Sequence, residues 1–254
     1  MFSGAVDRLE GAPGSGETVA VVASDGSFVA QAAYSPVSQI RARVWTLDRD
    51  VQIGEGFFRT RLLAALDLRK VAGVEQETDA YRLVHGESDG LPGLVVDRYG
   101  DVLVMQVLSA GIECWREKIA DLLVEVTGVS AVYERSDVDV RELEGLEPRV
   151  GRVRGAEPPG EITIRENGLA YGVDVRGGQK TGFYLDQRRS RMRLRAYAQG
   201  KVVLNCFCYT GGFSLSALAG GAEQGLSIDS SGGALEEAQR SGALPAEGIK
   251  ERAG

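Results

Sequence analysis

Val202-Val-Leu-Asn-Cys-Phe-Cys-Tyr-Thr-Gly-Gly212 has the residue types and spacing to hold a nucleotide. The apolar residues from Val202 read as a buried strand, Asn205 closes it, and the glycine pair opens a helix over Phe213 to Ala219. Glycine lets the backbone approach a ligand, while a helix start offers free N–H groups and the positive end of a dipole. A second strand, Gly225 to Asp229, ends in an acid about 20 residues after the glycines, where a carboxylate can accept both hydroxyls of an adenosine ribose. Cys206 and Cys208 form a C-x-C at the strand end. They could be a nucleophile or a soft-metal pair. The plainer reading is small residues lining a pocket, because no base or further ligand lies nearby in sequence. The single histidine, His85, reads as structural, and no metal-ligand spacing is present.

The elements around this loop alternate. Thr18–Val22, Phe28–Ala33 and Ile40–Trp45 read as short strands between Gly/Ser/Asp turns. In the third, Ile40, Ala42 and Val44 alternate with Arg41, Arg43 and Trp45. One face is therefore expected to be apolar, and the other to offer Arg41 and Arg43 to phosphate or simply to solvent. A helix follows from Gly56 to about Lys70. Strands come next at Tyr81–His85 and in a hairpin of Leu94–Asp97 with Val102–Leu108. Ile112, Trp115, Ile119, Leu122, Leu123 and Val126 mark an amphipathic helix, and Ala131–Tyr133 a strand. Arg141 to Pro159 reads as a loop or linker. Ile162–Arg165 and Tyr171–Val175 read as a hairpin about Asn167-Gly168. Asp186 to Ala198 reads as a basic helix carrying Arg188, Arg189, Arg191, Arg193 and Arg195. Either it meets an RNA backbone or it is a solvated face packed through Leu185, Met192 and Tyr197.

The 254 residues suffice for one large domain or two to three small ones. With 43% hydrophobic and 26% charged residues the composition is that of a globular protein. A net charge of −7 gives no bulk support for nucleic-acid binding but leaves room for a local basic face. Three cysteines without regular spacing argue against a disulfide scaffold and for a reducing, cytoplasmic compartment. No apolar run reaches the roughly 18 residues that span a bilayer, so no membrane partner is expected, and the start of the chain lacks a signal-peptide pattern.

Gly178-Gln-Lys-Thr-Gly-Phe-Tyr-Leu-Asp-Gln-Arg188, followed by the Val203–Phe213 block, resembles one family closely. It is that of the bacterial large-subunit ribosomal RNA cytosine-C5 methyltransferases with an N-terminal PUA domain. Phe2-Ser-Gly-Ala-Val6, Ala33–Trp45, Tyr81–Val84, Gly86–Gly93 and Glu134–Asp137 agree with it. The resemblance implies an α/β multidomain fold. An RNA-binding PUA-like β-barrel, incomplete here, would occupy residues 1–50, and a middle α/β domain 53–165. The first part of a Rossmann-like class I methyltransferase domain would occupy 166–254. It implies S-adenosylmethionine as cofactor and ribosomal RNA as partner. Asn205, Phe207, Tyr209, Thr210, Gly211 and Gly212 would form the first cofactor loop, Asp229 would hold the ribose, and Lys180, Thr181, Gly182, Phe183 and Asp186 would lie near the methionine end. Arg41, Arg43, Arg189 and Arg193 would be RNA contacts.

The chain departs from the family pattern in ways that shape the expectation. The family runs past residue 254, where an Asp-Pro-Pro-Lys-like motif and a Ser-Cys segment are expected. That cysteine attacks cytosine C6 and activates C5 for methylation, so no catalytic residue is assigned within this sequence. The family also begins earlier, with a basic strand that completes the barrel, and Ser241-Gly-Ala-Leu-Pro245 replaces its usual helix end. The expectation is a fragment with its cofactor loop present and its chemistry missing, inactive alone. Two parallel strands from Lys201 onward would bury too little surface to be stable unaided, leaving that end partly disordered, aggregation-prone or held by a second copy in a homodimer. Two other readings stand beside this one. One is a non-catalytic RNA-binding fragment. The other is an NAD-type oxidoreductase, although Thr210-Gly-Gly-Phe-Ser214 is not the G-x-G-x-x-G pattern.

Overall fold

The computed structural model describes residues 1–242. The substitution for the family helix end at Ser241–Pro245 lies largely outside them. The chain forms two compact units, residues 1–75 with 81–158, and residues 76–80 with 159 onward.

In the first unit, β1 (Thr18–Val22), β2 (Phe28–Tyr34) and β3 (Ala42–Thr46) form an antiparallel sheet in that order. The helix α1 (Glu55–Val71) follows, then the short α2 (Val74–Glu77). The strands β4 (Ala80–His85), β5 (Leu94–Tyr99), β6 (Val102–Val107), β7 (Ala131–Ser136) and β8 (Arg149–Arg154) form a five-stranded mixed sheet in sequence order. β5 and β6 turn through Gly100 at φ 58°, and β6 runs parallel to β7 because α3 (Ala110–Thr127) crosses between them. Ser109 caps α3 by accepting from the Ile112 N–H at 3.4 Å, and Gly128 ends it in the left-handed conformation. Its apolar stripe of Ile112, Ile119, Leu122 and Leu123 is buried with Phe58, Leu62, Leu83 and Met105.

Two sequence expectations change here. β3 does not turn its arginine-bearing face to water. Trp45 on that face is 3% exposed and meets Phe57 and Phe58 edge-on at 6.3 and 5.5 Å, while Val44 on the supposed apolar face is 39% exposed. Ala42 on the supposed apolar face is buried too, because the ladder to β2 shifts register between Val44 and Thr46, so both Ala42 and Trp45 reach the interior. The segment Arg141–Pro159 is not a plain linker. It holds a turn of helix, α4 (Val140–Leu143), and the edge strand β8. Its charges concealed it. Arg154 of β8 reaches Asp121 and Glu117 on α3, and Arg141 is fully buried on Glu113 and the Val107 and Glu147 carbonyls.

The second unit begins with the hairpin of β9 (Ile162–Glu166) and β10 (Leu169–Val173). Asn167 and Gly168 both take positive φ, 50° and 80°, the geometry that suits a two-residue turn. α5 (Arg188–Tyr197) follows, then β11 (Val202–Cys206), α6 (Gly212–Ala219), β12 (Gln224–Ile228) and α7 (Gly232–Arg240). β11 and β12 pair in parallel with Leu204 opposite Leu226. α5 is seated by a side chain whose charge argued for solvent. Arg191 is buried in a bidentate pair with Glu166 at 2.7 and 2.7 Å, its guanidinium 4.6 Å from the Phe183 ring. Met192 and Tyr197, expected to pack the helix, are instead 46% and 77% exposed. The reason is that Glu166, buried at the hairpin end, demands a cation.

Candidate functional site

Three connections of the second unit converge. They are the segment after β10, the loop between β11 and α6, and the turn from β12 into α7. Tyr209 ties them together. Its backbone N–H donates to Asp229 Oδ2 at 2.7 Å, and Asp229 Oδ1 accepts from the Ser231 N–H at 2.9 Å. Its hydroxyl accepts from the Gln179 N–H at 2.9 Å and donates to the Gly182 carbonyl at 3.1 Å. The Tyr184 ring meets Tyr209 edge-on at 5.6 Å, and Lys180 Nζ lies 5.6 Å from the Tyr184 centroid. Burial pushes the Tyr209 phenol up to about 12, so it remains a neutral donor at neutral pH.

The loops are held in costly backbone conformations. Lys180, Phe207 and Tyr209 are non-glycine residues with φ between 50° and 59°. Such strain collects where a loop must present its N–H groups in one direction. At Gly178 a Cβ would come within 2.4 Å of the Asp174 carbonyl and 2.9 Å of the Tyr209 hydroxyl, so only glycine permits this approach. At the head of α6, Gly211 is left-handed, and a Cβ on Gly212 would press Arg191 and Phe183 at 3.3 and 3.4 Å. Asn205 donates to Ser214 Oγ at 2.8 Å, and Ser214 bonds Ser227 at 2.6 Å, fastening both strands to α6.

Of the residues singled out in the sequence, Lys180, Thr181, Gly182 and Phe183 come together with Tyr209, Thr210, Gly211, Gly212 and Asp229. Thr181, Phe183 and Thr210 are buried, and Phe183 packs on Tyr171 at 5.4 Å. Asn205 lies beneath the loop and braces it. Phe207 is 92% exposed, and Asp186 is exposed and accepts from Gln187 Nε2 at 3.4 Å. Gln179, Tyr184, Ser214, Ser227 and the Arg191–Glu166 pair also build the site and were not singled out as site residues. Gln179 and Tyr184 sit inside the quoted Gly178–Arg188 block, which was the available signal. Nothing in the spacing of Ser214 and Ser227 pointed to them.

The cysteines divide. Burial, with Asp229 second, pushes the Cys208 thiol up to about 11, so it is not a nucleophile at neutral pH. Cys114 on α3 is also raised, mainly by burial. Cys206 is exposed at the end of β11. Among the described residues no group of histidine, cysteine and carboxylate side chains could hold a metal ion, and no helix is long and apolar enough to cross a membrane.

The arginines expected at RNA divide too. Arg43 is paired with Glu144 at 3.0 Å and Glu87 at 3.3 Å. Arg41 donates to the Ser35 and Pro36 carbonyls. Arg189 and Arg193 lie one turn apart on α5, exposed and without an ion pair among the described residues.

Comparison with known proteins shows what these features are similar to. Residues 150–248 match the model of S-adenosylmethionine-dependent methyltransferases, and residues 1–47 match a PUA-like domain. The chain is 51% identical over 240 residues to the ribosomal RNA large subunit methyltransferase I of Photobacterium profundum, covering 94% of this chain and 60% of that protein. The Klebsiella pneumoniae protein of the same name is 50% identical with the same coverage. The chain thus spans about 60% of the length of the curated relatives it matches. Among solved structures, a protein from Streptococcus mutans named for S-adenosylmethionine-dependent methyl transfer superposes with a TM-score of 0.79 at 26% identity, over 95% of this chain and 61% of its own. A second, described as a methyltransferase complexed with SAH, gives 0.78 at 27% identity over 89% and 58%. Its start is thus similar to a PUA-like domain, its second unit to S-adenosylmethionine-dependent methyltransferases, and the chain as a whole to about 60% of the length of the ribosomal RNA large subunit methyltransferase I proteins.

Proposed function

We propose that this chain binds S-adenosylmethionine at the Tyr209-centred site and contributes that pocket to cytosine-C5 methylation of large-subunit ribosomal RNA. The observation that carries the reading is the Asp229–Tyr209 bond. It sets a carboxylate at the end of β12 against a glycine-headed helix, with the Lys180 loop closing over both. Each Asp229 oxygen accepts one backbone N–H, from Tyr209 or Ser231, and keeps lone pairs for ribose hydroxyls. The Gly211-Gly212 head of α6 and the cationic Lys180 suit the carboxylate of the methionine part. The residues therefore fit the cofactor. When bound, it would supply the methyl group on its sulfonium.

Methylation at cytosine C5 needs a thiolate to add to C6 first. Cys208 is buried and held protonated, and Cys206 contacts no base among the described residues. The proposal therefore assigns cofactor binding to this chain and leaves the nucleophile unassigned. RNA contact is proposed for Arg189 and Arg193. Arg41 and Arg43 are not retained for that role, because carbonyls and carboxylates already engage them.

Calorimetry with S-adenosylmethionine and with NAD tests the reading. The expected result is binding of the first alone, weakened about 10- to 100-fold by Asp229→Ala, as befits loss of charge-assisted hydrogen bonds of about 1.5–3 kcal/mol. Equal binding of NAD, or no binding of either, would sink it.

A further inference from the structure

A carboxyl cluster lies behind the Lys180 loop. Glu237 of α7 is 8% exposed, and its Oε1 is sealed from solvent without a hydrogen-bond partner among the described residues. It packs against β10 at Gly172, where a Cβ would lie 3.3 Å from Glu237 Oε1 and 2.8 Å from Glu161 Oε1. Two residues further along the chain, Asp174 starts the loop. Its Oδ1 accepts from the Arg176 and Gly177 N–H groups at 2.8 and 2.9 Å, and its carbonyl from the Gly178 N–H at 3.0 Å. Tyr209 holds the same loop through Gln179 and Gly182. Glu161 acts on Glu237 as a like charge. Arg240 of the same helix opposes less strongly while also meeting Glu161 at 3.5 Å, and Asp174 adds a smaller repulsion. The influence runs on to the site: after burial, Glu237 is the first group that raises the Tyr209 phenol, ahead of Asp174.

We propose that Glu237 makes the cofactor site sensitive to ligand charge: its carboxyl gives up a proton to solvent when the site takes a cationic methyl donor, and regains one when the neutral demethylated product replaces it. The inference rests on the cofactor reading above. S-adenosylmethionine has a sulfonium, an ammonium and a carboxylate, hence a net positive charge, and loss of its methyl group removes the sulfonium charge. The two ligands differ by that methyl and that charge, and a charge is felt from behind the loop where a methyl is not. Near neutral pH the sensing group must be able to change its own charge. Glu237 meets this condition, because burial first and then Glu161 raise its carboxyl to about 7. The other shifted groups around Tyr209 stay out of that range, since the Cys208 thiol at about 11 and the Tyr209 phenol at about 12 remain neutral. The sole histidine, His85, belongs to the other unit. Unit charges some 10 Å apart near a protein surface shift each other's equilibria by roughly tenfold.

Calorimetry of the full chain with S-adenosylmethionine and with S-adenosylhomocysteine tests this, at about pH 6 and about pH 8, on either side of the Glu237 carboxyl. The amino group common to both ligands cancels in the ratio of their affinities. That ratio should rise in favour of the donor by roughly three- to tenfold between the two pH values. Near neutral pH, donor binding should also release protons, read from the heats in two buffers of different ionisation enthalpy, and product binding should release fewer. Glu237→Gln should make the ratio independent of pH. Glu161→Gln, a change at a half-exposed side chain, should move the rise to lower pH, because Glu161 helps to hold the proton on Glu237. A ratio that is flat in the wild type overturns the proposal and leaves the cofactor reading standing. So does a rise that survives Glu237→Gln, or, should that variant fail to fold, a rise that Glu161→Gln does not move. Binding of neither ligand overturns the cofactor reading and this inference with it.

Discussion

Three ionisable side chains of the second unit sit where burial penalises charge, and they meet that penalty in two ways. Arg191 and Glu166 solve it by pairing, at side-chain exposures of 3% and 1%. Removing one partner strands the other, so Arg191→Ala should cost about 3–5 kcal/mol in urea unfolding and loosen α5 together with Phe183. A loss below about 1 kcal/mol would show that the pair does not seat the helix. Glu237 on α7 is solved by protonation. Its Oε1 has no hydrogen-bond partner among the described residues, and Glu161 acts on it as a like charge, with Arg240 opposing less strongly and Asp174 adding less again. Burial first, then Glu161, raises its carboxyl to about 7 from an ordinary 4.5. The folded chain therefore holds a proton that the unfolded chain has released. The stability this adds is complete below pH 4.5 and is lost as pH rises through 7. Melting followed at pH 4.5 and 7 should show a fall in the wild type and a smaller one in Glu237→Gln. Parallel falls would mean that another group titrates.

At the scale of elements, close approach and exposed charge make separate predictions. α3 crosses the β1–β3 sheet at Gly111, where a Cβ would sit 2.4 Å from Ala33 Cβ and 2.7 Å from Trp45 Cζ2. Gly111→Ala gains helix propensity but must push sheet and helix apart. A net loss of about 1–3 kcal/mol in chemical denaturation is expected, and a gain would show that the crossing is loose. α5 presents Arg189 and Arg193 on one exposed face with Tyr197 a turn further on. If this stripe meets RNA, each arginine-to-alanine change lowers the slope of log affinity against log salt by roughly 0.7–0.9. An unchanged slope would mean a solvated face. The elements themselves were largely legible, because helix and strand periods depend on local pattern. Ile112 to Val126 announced α3, and Asn167-Gly168 announced the hairpin. β8 was not legible: Arg149, Arg152 and Arg154 read as linker until α3 supplied Glu113 to Arg149 and Asp121 and Glu117 to Arg154. The facing of β3 was equally hidden, since alternation names two faces without saying where a register shift will exchange them.

Across the whole molecule, the two units differ in how well their sheets are covered. β6 and β7 lie inside a five-stranded sheet and are themselves almost all buried, whereas β11 and β12 expose an apolar face. Hydrogen exchange should therefore protect the amides of Leu103–Met105 far more strongly than those of Val202–Leu204 and Leu226–Ile228. Comparable protection would mean that the pair is covered in solution. The strand, the glycine turn, the following helix and the acid at the next strand end were written in the sequence, because they are constraints on consecutive residues. Sequence also marked Lys180 to Phe183 as part of the site. Only the tertiary structure decided that Tyr209 is the tie between the three loops, that Arg43 is paired with Glu144 a hundred positions away, and that Arg191 is buried while Met192 is not. Those outcomes depend on which partner long-range packing delivers to a charged or aromatic side chain, and no local pattern encodes that.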